Sequence, residues 1–184
     1  MLEKDLSLSL ANYSIYSADS LNKLEIGRIR FLENNLFFDK VKFGPTVGRY
    51  HYFRNLGYQT DAIDGTVDRI SVLDRDFDTY FNSQVLKVRK VSLDGMRLDV
   101  FRDKRLPRLE GIIKLMPQEL MKNSSLDLLV DSVTATNGFI RYQEFAQRAM
   151  VPGSIRFEDL NLSLAPFALS KEGNEYPLDK TYLN

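Results

Sequence analysis

Ile26-Gly27-Arg28-Ile29-Arg30-Phe31 and, a few residues on, Phe38-Asp39-Lys40-Val41-Lys42-Phe43 share one form, apolar-x-x-apolar-x-apolar. It returns as Val67-Asp68-Arg69-Ile70-Ser71-Val72, Val88-Arg89-Lys90-Val91-Ser92-Leu93, Val130-Asp131-Ser132-Val133-Thr134-Ala135 and Phe157-Glu158-Asp159-Leu160-Asn161-Leu162. Residues three apart fall on opposite faces of a flat strand. The unit therefore reads as a strand start or a β-bulge ahead of an alternating run. Around these units the alternation extends into candidate strands at 23–31, 36–43, 65–73, 85–101, 126–142 and 154–164, and Leu6, Leu8 and Leu10 alternate with Asp5, Ser7 and Ser9. Their β-branched and aromatic content favours strands over helices. Asp94-Gly95 and Asn137-Gly138 interrupt two of the runs, and such pairs are the strongest short signal for a hairpin. The expected fold is mainly β: an antiparallel meander of repeated hairpins forming a curved, groove-like sheet.

Helical content is expected to be small. Segment 74–83 opens on Asp74 and can make two turns, 116–123 has Pro117 where a first helical residue belongs, and 48–56 is aromatic on one side. Segment 104–115 and the tail 170–184 read as loops. No Pro/Ser-rich linker divides the chain, so residues 1–184 are expected to be one β-rich domain, a fragment or repeat segment of a longer protein.

Composition bounds the function. Of 184 residues, 25 are Lys or Arg and 25 are Asp or Glu, a balance unlike that of a chain built to grip nucleic acid. The absence of cysteine excludes disulfides and thiolate chemistry, and the single His51 makes a histidine zinc site or a Ser-His-Asp triad implausible. No Gly-x-Ser-x-Gly elbow occurs. Asp74, Asp76 and Asp78 resemble the start of a calcium loop but lack its Gly and closing Glu, and a capped helix start accounts for them. No apolar run approaches the roughly 20 residues needed to span a bilayer, and the first twenty residues lack a signal-peptide pattern. No catalytic, metal or cofactor residues are expected. A carbohydrate-active β-sandwich would need a carboxylate pair that spacing does not single out. The one local concentration of charge is Arg102-Asp103-Lys104-Arg105-Leu106-Pro107-Arg108, whose cations Arg102, Lys104, Arg105 and Arg108 are candidate contacts for a lipid headgroup or a partner. A sheet with apolar residues to spare and few helices to cover them needs another apolar partner: its own curl, a neighbouring subunit or acyl chains.

A set of strings in order carries a family resemblance. They are Leu56-Gly57-Tyr58-Gln59-Thr60-Asp61, Asp68-Arg69-Ile70, Asp74-Arg75-Asp76-Phe77-Asp78, Val100-Phe101-Arg102-Asp103-Lys104-Arg105-Leu106-Pro107 and Met116-Pro117-Gln118-Glu119-Leu120. Asn137-Gly138-Phe139-Ile140-Arg141-Tyr142-Gln143-Glu144 and Pro152-Gly153-Ser154-Ile155-Arg156-Phe157-Glu158-Asp159-Leu160 complete it. Together they resemble an internal segment of the large AsmA-like envelope proteins of Bacteroidetes-type bacteria, a domain family of unknown function. That family is similar to bridge-like lipid-transfer proteins. The resemblance implies a non-enzymatic module of the cell envelope, periplasmic, and engaged in lipid transport or shielding or in outer-membrane biogenesis. Its partners would be acyl chains or neighbouring β-repeats of the same long protein, with no nucleic acid and no membrane span in this chain. The alternative is a structural or protein-interaction β-domain without a lipid groove. This chain departs from the family in length and in lacking the N-terminal anchor.

Overall fold

The computed structural model describes residues 7–109, 127–164 and 166–169. Strand β1 (Ser7–Tyr16), β2 (Asn22–Leu32) and β3 (Asn35–Pro45) form a meander that leads through helix α1 (Arg49–Leu56) into β4 (Asp61–Asp76). Helix α2 (Phe77–Ser83), β5 (Val85–Asp94), β6 (Arg97–Asp103), β7 (Asp127–Phe145), β8 (Gly153–Leu164) and β9 (Phe167–Leu169) complete the order. All nine described strands join one sheet, mainly antiparallel and mostly meander-like, as the alternation predicts. Both described helices fall where they were expected. Gly57 closes α1 in the left-handed conformation, and α2 starts on Asp76, whose carboxylate accepts the Thr79 N–H at 2.9 Å. The expected helix at 116–123 and the tail 170–184 lie outside the described residues. Residues 104–109 are irregular, as expected of that segment.

The two Gly-containing turns differ from expectation. β5 and β6 do not fold back on each other at Asp94-Gly95. Both pair antiparallel with β4 and both run parallel to β7, so they form one line of chain interrupted at Gly95. Asn137-Gly138 likewise lies within β7. The residue types that favour a hairpin also suit a bulge, because both devices need a left-handed backbone. Gly95 has φ +66° and Asn137 φ +55°. The two irregularities sit side by side and are stitched together. Gly95 N–H donates to the Thr136 carbonyl at 3.1 Å and Phe139 N–H to that of Met96 at 2.7 Å. The Asp94 carboxylate accepts from the Thr136 hydroxyl at 2.9 Å and the Asn137 amide at 2.8 Å.

The same irregularity crosses the whole sheet. Asn12 in β1, Lys40 in β3 and Asp159 in β8 also have positive φ. The ladder skips Asn12 and Gly27 between β1 and β2, Gly27 and Lys40 between β2 and β3, and Lys40 and Asp68 between β3 and β4. Because each strand carries the extra residue at the same level, the register is preserved while the face alternation slips by one. Residues three apart thereby come onto the same face. Ile26 and Ile29, Phe38 and Val41, Val67 and Ile70, and Leu93 and Met96 all join one apolar cluster. The apolar-x-x-apolar unit is the sequence mark of this row. Its bulge reading holds for all six repeats: those at 26, 38, 67 and 157 belong to this row, and those at 88 and 130 to a second one, where the ladder skips Asp74 (φ +52°), Arg89 and Asp131.

Gly65 is where this face packs tightest. A Cβ there would stand 2.3 Å from Phe43 Cζ and 2.9 Å from Leu98 Cδ2. Gly65→Ala is expected to cost about 2 kcal/mol through overpacking. The cost should fall below about 1 kcal/mol in a Phe43→Leu background, where the ring no longer occupies the space. Urea unfolding of the four proteins of that cycle checks this, and equal costs in both backgrounds would contradict it.

Candidate functional site: an apolar sheet face

Direct cross-strand partners share a face, so the pairings trace rungs from edge to edge. One rung runs Leu8, Phe31, Leu36, Val72, Val91, Val133 and Leu164. The next runs Leu10, Ile29, Phe38, Ile70, Leu93, Ala135 and Leu162. Beyond the irregular row, another joins Ile15, Leu24, Phe43, Gly65, Leu98, Ile140 and Phe157. Each is apolar throughout. The rungs pointing the other way are polar: Ala11, Arg28, Asp39, Arg69, Asp94 and Thr136, and Ser9, Arg30, Phe37, Ser71, Ser92, Thr134 and Ser163.

The polar face is held by ion pairs and by α1. Asp39 bonds Arg69 at 2.7 Å and Arg30 at 3.0 Å, and Asp99 pairs with Arg141. Helix α1 places Tyr52 and Phe53 in a buried cluster with Ala62, Phe101 and Phe145. Among the described residues the apolar face has cover only at its α2 end, where the Arg75 guanidinium lies 4.6 Å from the Phe77 ring and the rung Arg75, Val88 and Val130 is buried. Its middle, Ile26, Val41 and Val67, is only 4–8% exposed, whereas Ile63 towards one end is 42% exposed and Leu10, Ile15, Phe157 and Leu162 on the two outermost strands are about half exposed. No large side chain among the described residues is completely buried, as expected of a sheet with little laid against it. Towards one end this face opens into a concavity of about 500 Å³ lined by Ile15, Leu24, Phe43, Ile63 and Asp61, among others.

A polar rung borders that concavity: Asp61, Arg102 and Glu144 are cross-strand partners. It brings together part of the basic segment singled out in the sequence. Arg102 Nε lies 2.6 Å from Asp61 Oδ1, and Lys104 Nζ lies 2.7 Å from Glu144 Oε1. Arg105 turns away to pair with Asp103 at 2.7 Å and to stack on the Phe145 ring at 3.7 Å. Arg108 is exposed beyond them. The four cations therefore do not act as one patch: Arg102 and Lys104 sit at the rim already paired, and Arg105 braces the α1 cluster. The Tyr142 hydroxyl donates to Glu144 at 2.6 Å. Burial and the neighbouring Glu144 push its pKa up to about 12. Lys104, then Tyr142, holds the Glu144 carboxyl below its ordinary value, and the Arg105 guanidinium does the same for Asp103.

These two depressed carboxylates predict an acid-side loss of stability. Their contribution is complete above the unfolded carboxylate pKa of about 4 and is lost as pH falls through the lower folded-state values. The urea midpoint should therefore drop below about pH 4, and an Asp103→Asn variant should show a shallower drop. A midpoint profile identical in wild type and variant would contradict the assignment.

The other residues weighed in the sequence have structural places. His51 is an exposed residue of α1, Asp74 pairs with Arg89, and Asp76 serves as the α2 cap. No cluster able to hold a metal ion occurs among the described residues. No helix among them is long and apolar enough to cross a membrane. The residues that sequence reasoning did not single out are those of the rungs, Ile15, Leu24, Ile63 and Phe157 among them. The signal that could have found them was the apolar-x-x-apolar spacing, taken consistently as a bulge. No protein-family model, curated protein or solved structure matches the chain.

Proposed function

We propose that the apolar face holds acyl chains. The chain would then be a non-enzymatic module of an AsmA-like cell-envelope protein that transports or shields lipid or serves outer-membrane biogenesis. The observation that carries this reading is the set of apolar rungs running from β1 to β8 on a face that no described helix covers except at its α2 end. Such an exposed apolar surface marks an interaction or ligand site. Each buried methylene contributes about 0.8 kcal/mol, so about ten reach the scale of micromolar binding before ordering costs. The rim of Asp61, Arg102, Lys104 and Glu144 would face the polar end of such a ligand, with Arg102 and Lys104 exchanging carboxylates for a headgroup. The concavity of about 500 Å³ is lined chiefly by apolar side chains, Ile15, Leu24, Phe43 and Ile63 among them. That supports this reading over a structural β-domain whose face is filled by its own side chains. Titration with a fluorescent fatty acid, competed by phospholipid, tests it. Saturable binding displaced by phospholipid is expected, and no binding at tens of micromolar probe would refute it.

A further inference from the structure

Independently of any ligand, we infer that copies of this chain join edge to edge, β8 of one pairing antiparallel with β1 of the next, so that the apolar face runs on through an open-ended assembly. The two ends of the sheet carry the inference. β1, Ser-Leu-Ser-Leu-Ala-Asn-Tyr-Ser-Ile-Tyr, holds no charged residue, no proline and no glycine, and its residues from Leu8 to Tyr16 are all exposed. Edge strands normally carry lysine, proline or another device against pairing, and β1 has none apart from its one irregular residue, Asn12. β8, at the other end, is equally exposed, with Ile155, Phe157, Leu162 and Leu164 on the apolar face. Among the described residues no strand pairs with the outer side of either.

The strand directions make the join possible. β1 runs with β3, β5 and β7, whereas β8 runs against β7, so β8 and a neighbour's β1 meet antiparallel in a continuous sheet. The irregular row sets the register. In β1 it lies between Leu10 and Tyr13, and in β8 between Phe157 and Leu160. Matching the two places Leu160 opposite Leu10, Phe157 opposite Tyr13, Leu162 opposite Leu8 and Ile155 opposite Ile15, with every apolar side chain on the same face. Charge argues against a join of two β8 edges, and a join of two β1 edges is separated by experiment. Pairing β8 with another β8 through the same row sets Glu158 opposite Asp159 twice, a repulsive arrangement, whereas β1 offers these acids only uncharged neighbours. A join of unlike edges leaves a free β1 and a free β8 in every dimer, so association continues beyond two copies.

Analytical ultracentrifugation of the whole chain tests this with Leu10→Lys in β1 and Leu162→Lys in β8, both replaced where the side chain is about half exposed. The wild type should associate beyond dimer as concentration rises. Each variant alone should need about tenfold more protein to associate. An equimolar mixture of the two should form a one-to-one dimer that grows no further, because only one intact β1 and one intact β8 remain to meet. A wild type that stays monomeric, a single variant that still forms a closed dimer, or a mixture that behaves as its components would each overturn the proposal. Cross-linking gives a second readout should lysine disturb the fold, since the chain has no cysteine. Ser9→Cys and Asn161→Cys proteins should form a disulfide only when mixed, and a disulfide-linked dimer of Ser9→Cys alone would overturn the assignment.

Discussion

Phe101→Ala is expected to be among the most destabilising single substitutions in the chain, at about 3–5 kcal/mol. Phe101 is only 3% exposed and forms the floor on which α1 rests. Its ring lies 5.6 Å from that of Phe53 and 5.9 Å from that of Phe145, and the Arg49 guanidinium stacks over it at 4.8 Å. Truncation removes the surface that both buried residues of α1, Tyr52 and Phe53, pack against. The helix is short and has no side-chain N-cap bond, so little local stability remains to hold it in place. Thermal unfolding should shift down by about 6–20 °C, and amide exchange over 49–56 should accelerate more than exchange in β2 and β3. A loss under about 1 kcal/mol would contradict the assignment of Phe101 as the centre of the polar-face core.

Ile63→Asp should leave the fold intact and abolish acyl binding. Ile63 is partly exposed on β4 towards one end of the apolar face, where it lines the concavity with Leu24 and Phe43. A carboxylate there costs little in the free protein because water reaches it. Covering it with an acyl chain would strip that water from a charge with no built partner, a cost of several kcal/mol. Binding of the fluorescent probe should weaken by about 100-fold or more, with an unchanged urea midpoint. The same replacement at Ser92, on the polar face, should leave binding as it is. Undiminished binding by Ile63→Asp would place the ligand elsewhere.

How much of this was legible beforehand differs from element to element. The strands were readable because one-sided burial imposes strict alternation, and the described residues of each interval marked by it are strand apart from the break at Gly95-Met96. The helices α1 and α2 were readable from the aromatic pattern at 48–56 and from the aspartates at 74–78. The parallel pairing of β5 and β6 with β7 was not. Asp94-Gly95 and Asn137-Gly138 specify a left-handed backbone, but whether that backbone turns the chain or merely bulges it depends on the neighbouring strand, which lies some 40 residues away in sequence. The apolar face was half legible. The apolar-x-x-apolar unit was visible, and only cross-strand register shows that the extra residue falls at one level in strand after strand and brings Ile26 and Ile29, or Val67 and Ile70, onto one side. The basic segment at 102–108 misled by its density. Asp103 lies within it, and Asp61 and Glu144, contributed by β4 and β7, already pair with its cations.

Native mass spectrometry of the wild-type chain and of Ile63→Asp, both expressed with an export signal in a Gram-negative host, tests the central claim most directly. The account predicts phospholipid or a lipopolysaccharide fragment retained on the wild type and absent from Ile63→Asp. Wild-type protein that is lipid-free straight from the envelope, or both proteins carrying the same lipid, would contradict the assignment of the apolar face as a lipid surface.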